Sequence, residues 1–118
     1  MAADQGLIDW VAEAMEPVGA VTKHAMMGGA TLYVDGTIFA IVSHDGALWF
    51  KADNETDATW DKAGCARFTY EMNGKVGSMN YRRAPDDVYD DPDELRRWGL
   101  LGLDAGRRAP AKKPKKRR

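Results

Sequence analysis

The sequence predicts an α+β fold: a two-layer arrangement of one antiparallel sheet with helices on one face, ordered helix, three or four strands, helix, two strands, helix. Three observations carry that prediction. Apolar residues recur at helical spacing near both ends, at Ile8, Val11, Ala12 and Met15 and again at Leu95, Trp98 and Leu101. Between them the pattern shortens to strand-like runs parted by tight-turn pairs. A chain of 118 residues, 44% hydrophobic and 30% charged, has room for one such domain and not for two.

The first helix follows Asp4, whose carboxylate suits the orphan N–H groups of a helix start, and it stops at Pro17 and Gly19. Leu7 and Trp10 widen its apolar stripe enough to pack on a sheet. From Val21 to Lys51 a meander is expected. Asp35-Gly36 separates Thr31–Val34 from Thr37–Ser43, because both central residues of such a turn need positive φ; His44-Asp45-Gly46 precedes Ala47–Lys51. Ile38-Phe39-Ala40-Ile41-Val42 is apolar on both faces, as a central strand covered on both sides is. The Gly28-Gly29 pair reads as a bulge or a sharp reversal.

A second helix is expected over 55–63, capped by Asn54 and ended by Gly64. Strands Ala66–Met72 and Val76–Tyr81 flank Asn73-Gly74, the strongest hairpin signal in the chain, and Ala84-Pro85 ends the sheet. The third helix opens with Asp91-Pro92-Asp93-Glu94: Asp91 caps, Pro92 takes the first helical position, and Glu94 is placed to complete a capping box. Gly99 in its interior predicts a close backbone approach, with a partner chain as one candidate neighbour. Residues 1–105 form the expected domain and residues 106–118, built of Arg, Ala, Lys and Pro, the expected tail.

The net charge of −1 hides an uneven layout. All 18 acidic residues precede residue 105, whereas eight of the 17 basic ones are Arg107, Arg108, Lys112, Lys113, Lys115, Lys116, Arg117 and Arg118. The body should repel polyanions and the tail attract them. With eight phosphate contacts the log–log salt slope on duplex DNA would be about −7, without sequence specificity; the alternatives are a solubilising tail or one that folds back on the anionic body.

Other chemistry is thinly represented. Cys65 is the only cysteine, so no internal disulfide or multi-cysteine zinc site exists, and a nucleophilic thiol would need His24 or His44 as its base. Cys65 therefore reads as a structural residue, and no catalytic residue is assigned. The acids Asp86, Asp87, Asp90, Asp91, Asp93 and Glu94 lack the glycine and ligand alternation of a calcium loop and read as helix-start acids. No phosphate-binding glycine motif occurs. No metal or cofactor is expected.

At several points the chain resembles the TfoX/Sxy N-terminal domain family. The matching stretches are Met27-Gly28-Gly29, Leu32-Tyr33-Val34-Asp35-Gly36 with Phe39-Ala40, Leu48-Trp49-Phe50-Lys51-Ala52-Asp53, Phe68-Thr69-Tyr70 and Met79-Asn80-Tyr81. Pro85, Asp91-Pro92, Glu94-Leu95 and Trp98 complete the set, which covers about Leu7 to Leu101. The chain departs from the family at Ala25-Met26-Met27, where an arginine and a phenylalanine are usual. The resemblance implies a secretion-chaperone-like α+β domain and a regulator of natural competence, acting beside the cyclic-AMP receptor protein. It carries no catalytic residues, and where competence regulators have a further helix-hairpin-helix domain this chain has its basic tail.

These readings converge on a non-enzymatic regulatory or adaptor domain in transcription or competence. A protein partner such as a transcription factor or polymerase is expected at the corner formed by Met26, Met27, Gly28 and Gly29, with nucleic acid held by the eight tail cations. The alternative is a small enzyme or ligand binder using a cleft between sheet and helices; a homodimer is a third arrangement. No apolar run reaches the ~18 residues a membrane span needs, so a cytoplasmic location is expected.

Overall fold

The computed structural model describes residues 5–26 and 29–109. Helix α1 (Gln5–Met15) leads into strands β1 (Val21–Met26), β2 (Gly29–Val34), β3 (Thr37–Val42) and β4 (Leu48–Lys51). Helix α2 (Asp57–Lys62), strands β5 (Arg67–Met72) and β6 (Lys75–Arg83), a short 3-10 helix (Asp86–Tyr89) and helix α3 (Pro92–Arg108) complete the described chain. The six strands form one antiparallel sheet in the order β1-β2-β3-β4-β6-β5. The expected meander is present. The second hairpin joins it through β6, its later strand, which leaves β5 at the edge.

Both hairpin pairs behave as their residues require. Asp35 and Gly36 have φ of 52° and 82°, and Asn73 and Gly74 have φ of 56° and 78°, the left-handed values of a tight two-residue turn. The sheet's bulges lie instead between Leu32 and Tyr33 and between Arg67 and Phe68, while Met26 pairs with Gly29 across the first reversal.

Register assigns the two sheet faces. Leu32 opposes Ala40, Ala40 opposes Phe50, and Phe50 opposes Arg82, so these four share one face. The core lies there: Val11 and Met15 of α1, Trp60 of α2 and Leu95, Trp98 and Leu103 of α3 pack with Leu32, Val42, Leu48 and Phe50. Phe50, Trp60 and Trp98 stand in sequence, with ring centroids 5.8 Å and then 4.7 Å apart. All three helices thus cover one side of the sheet. The expectation that β3 is covered on both sides is corrected. Ile41 is only 2% exposed, yet it sits on the side away from the core, flanked in register by Thr31 and Trp49 of neighbouring strands.

Helix termini show where local rules held and where neighbours overrode them. Asp91 accepts from the N–H groups of Asp93 and Glu94, with Pro92 at the first position. Glu94 does not close the capping box: its carboxylate pairs with Arg97 at 3.2 Å, and the Asp91 N–H donates to the Asp87 carbonyl. The second helix is shorter than expected and Asn54 does not cap it. Asp53 accepts from the N–H groups of Glu55 and Thr56 and so shapes its entry. The Asp4 cap lies outside the described residues. Gly99 faces the protein's own core: a Cβ there would stand 2.7 Å from the Met15 sulfur. At Gly102 and Gly106 a Cβ would come within 2.6 Å and 2.1 Å of the Phe39 and Ile38 carbonyl oxygens, so α3 lies almost against the backbone of β3.

Candidate interaction surfaces

Two of the eight expected tail cations belong to α3. Arg107 and Arg108 form its last turn, where positive charge favours the carbonyl end of a helix. Arg108 reaches across to the loop before α2, donating to Asp53 at 2.8 Å and 3.0 Å and lying 3.3 Å from Glu55. The Arg108 hydrogen bond holds the Asp53 carboxyl below the usual carboxylate range, and Asp53 in turn raises the guanidinium. This clasp fixes the root of the basic segment beside α2. Lys112, Lys113, Lys115, Lys116, Arg117 and Arg118 lie outside the described residues.

The expected partner corner is described only in part. Met27 and Gly28 lie outside the described residues. Gly29 is buried, and a Cβ there would fall 2.2 Å from the Val42 carbonyl oxygen. That glycine serves the packing of β2 on β3.

The reactive candidates do not converge. His24 lies on edge strand β1, whereas Cys65 precedes β5 at the opposite edge, five strand spacings of about 4.8 Å away. His44 is exposed in the β3–β4 turn. Burial pushes the Cys65 thiol up, against the pull of Arg82, which disfavours the thiolate. Among the described residues, no group of three or more His, Cys, Asp or Glu side chains is placed to hold a metal ion. In the acidic run, Asp91 caps α3 while Asp93 and Glu94 pair with Arg96 and Arg97.

One buried charge escaped the sequence reading. Arg82 is 2% exposed on the core face, pairing with Asp61 at 2.7 Å and Asp57 at 3.2 Å and donating to the Cys65 carbonyl at 3.0 Å. It ties α2 to the sheet. Nothing in local spacing announces it, since its acids lie 21 and 25 residues away.

The face opposite the core was also missed. By register it carries Trp49 and Lys51 of β4, Phe68 and Tyr70 of β5, and Met79, Tyr81 and Arg83 of β6. The Phe68 ring meets Trp49 edge-on, with centroids 4.8 Å apart. The guanidinium of Arg83 lies 5.6 Å from the Trp49 centroid, and the Lys51 ammonium 5.1 Å from that of Tyr81. Tyr70 lies over Gly77, where a Cβ would stand 2.7 Å from its ring. Burial, and secondarily Tyr33, push the Tyr81 phenol up to about 12. Period-two spacing of aromatic and basic residues in 49–51, 68–70 and 79–83 was the available signal.

With this architecture in place, the relatives can be compared. The TfoX N-terminal domain matches residues 5–106, nearly all of the described chain. The chain belongs to the TfoX N-terminal domain family. DNA transformation protein TfoX1 of Aliivibrio fischeri is 30% identical over 67 residues, which are 57% of this chain and 32% of that protein. Protein Sxy of Escherichia coli K12 is 29% identical over 93 residues, 79% of this chain and 44% of that protein. The chain spans less than half the length of either. The TfoX-type domain here includes α1 through Gly106 of α3, so Arg107 and Arg108 begin just beyond the match. No helix among the described residues is long and apolar enough to cross a membrane.

Proposed function

We propose that this chain is a competence-type regulatory domain that acts by contact rather than by catalysis, joining a protein partner of the transcription apparatus to nearby nucleic acid through its basic C-terminal segment. The observation that carries this reading is the TfoX N-terminal domain match over residues 5–106 followed directly by eight cations. A relative is named a DNA transformation protein. The body supplies the partner surface. The cations supply sequence-independent attraction to phosphates, strongest at low salt. Arg108, clasped by Asp53, sets where that segment leaves the fold.

The test keeps the chain whole. Lys112, Lys113, Lys115, Lys116, Arg117 and Arg118 are replaced by glutamine, and duplex DNA binding is followed by fluorescence anisotropy across a salt series. The native chain is expected to bind duplex with a log–log slope between about −5 and −7, and the substituted chain to lose most of that affinity. Equal, negligible duplex binding by both chains at low salt would remove the nucleic-acid half of the proposal. Capture from the native host that recovers no transcription component would remove the partner half.

A further inference from the structure

We propose that the uncovered face of the sheet is a binding surface for single-stranded nucleic acid, with bases stacking on its aromatic side chains and phosphates meeting the cations between them. This goes beyond the reading above, which gives nucleic-acid contact only to the C-terminal segment.

The first observation is composition by layer. The described strands carry six Lys/Arg residues, Lys23, Lys51, Arg67, Lys75, Arg82 and Arg83, against a single carboxylate, Glu71. Residues 1–106 as a whole hold nine basic residues against 18 acids, so the negative charge is concentrated in helices and loops. Register puts Lys51, Lys75 and Arg83 on the uncovered face, while Glu71 alternates to the other side from Tyr70. In a body that otherwise repels polyanions, one face is arranged to receive them.

The second observation is what separates those cations. Trp49, Phe68 and Tyr70 lie on β4 and β5, with Met79 and Tyr81 on β6 between them. Tyr70 is 41% exposed, Trp49, Phe68 and Met79 are half-buried, and Tyr81 is buried at 8%. No helix covers Trp49, Phe68 and Tyr70, because every helix packs on the opposite side. A row of partly open aromatic side chains interleaved with guanidinium and ammonium groups suits unpaired bases, each of which offers a π-face, with the backbone tracking the cations. A duplex keeps its bases stacked inside and offers such a surface only phosphates.

Charge also decides among other occupants. A second copy docked face to face would set Lys51, Lys75 and Arg83 against like charges, and the chain's own basic segment would be repelled in the same way. An acidic peptide would satisfy the cations but leave the rings without stacking partners, which makes it an outcome of the test.

The experiment uses the full chain carrying the six glutamine replacements in residues 112–118, so that the cations beyond α3 do not contribute. A labelled oligothymidine of about twelve nucleotides, a duplex of equal length and a poly-glutamate peptide are titrated by anisotropy, with tryptophan emission recorded in parallel. The expected result is binding of the single strand, weaker or no binding of the duplex, and quenching that disappears in Trp49→Phe while binding persists. Tyr70→Ala combined with Arg83→Gln should weaken single-strand binding tenfold or more while the circular dichroism spectrum stays that of the folded chain, since a base stack and a phosphate contact are lost together. Lys75→Glu, at the exposed hairpin end, should weaken it several-fold and serves where the double variant fails to fold. No single-strand binding at low salt, equal affinity for duplex and single strand, or tighter binding of poly-glutamate would each overturn the proposal. Because those six cations are already replaced, failure here leaves the duplex test above untouched.

Discussion

The two faces of the sheet are built from similar residues and do different things with them. On the covered face, Phe39, Phe50 and Trp60 are fully buried and Trp98 is 5% exposed, and the buried charge Arg82 is met by two carboxylates and a carbonyl. On the uncovered face, Trp49, Phe68 and Tyr70 stay partly open, and their neighbouring charges, Lys51 and Arg83, lie over rings. Aromatic content alone therefore does not mark a core. On the covered face a second layer takes the rings out of water, with the large burial free energy that follows; on the uncovered face Ile41 and Tyr81 are buried but Trp49, Phe68 and Tyr70 are not.

That contrast can be broken most sharply by deletion on each face. Phe50→Ala should cost about 3–5 kcal/mol in urea unfolding, because its ring touches both Phe39 and Trp60 and the gap cannot refill. Tyr70→Ala should cost no more than about 1 kcal/mol, as a partly exposed side chain whose loss leaves no cavity. Similar costs at both sites would mean that the uncovered face is a structural layer after all.

Next in size comes the pairing of charge. Asp57→Ala with Asp61→Ala leaves the Arg82 guanidinium buried without a carboxylate, and should cost about 3 kcal/mol, seen as an earlier urea midpoint. Asp61→Ala alone should cost much less, since Asp61 is largely exposed and Asp57 remains. Removing Arg83 from its ring on the other face should cost only about 0.5–1 kcal/mol.

A further effect is confined to high pH. The Tyr81 phenol ionises at about 12 in the folded protein and near 10 when unfolded, so the folded state holds its proton longer. Stability from this group is complete below pH 10 and declines as pH rises from 10 to 12. Absorbance titration of the tyrosines should show one late phenolate. A Tyr81 that titrates near 10 would place its ring in water, as Tyr70 is, and sharpen the contrast between the faces.

Residue by residue, the sequence already contained most of the local structure. Asp35-Gly36, Asn73-Gly74 and Asp91-Pro92 each act through backbone rules that need no distant neighbour, and all three occur as read. The eight terminal cations were equally legible, since charge content needs no fold. Some local readings lost to another local partner: Glu94 was drawn to Arg97, and Asp53 displaced Asn54 at the entry to α2. Other features depended on distant contacts, as where Gly99 met Met15. The pairing of β6 with β4, the burial of Arg82 and the choice of which side three helices cover all join residues far apart in the chain. Alternation along a strand says that two faces exist and what each carries. Only packing, through contacts summed over the whole molecule, decides which of them meets water.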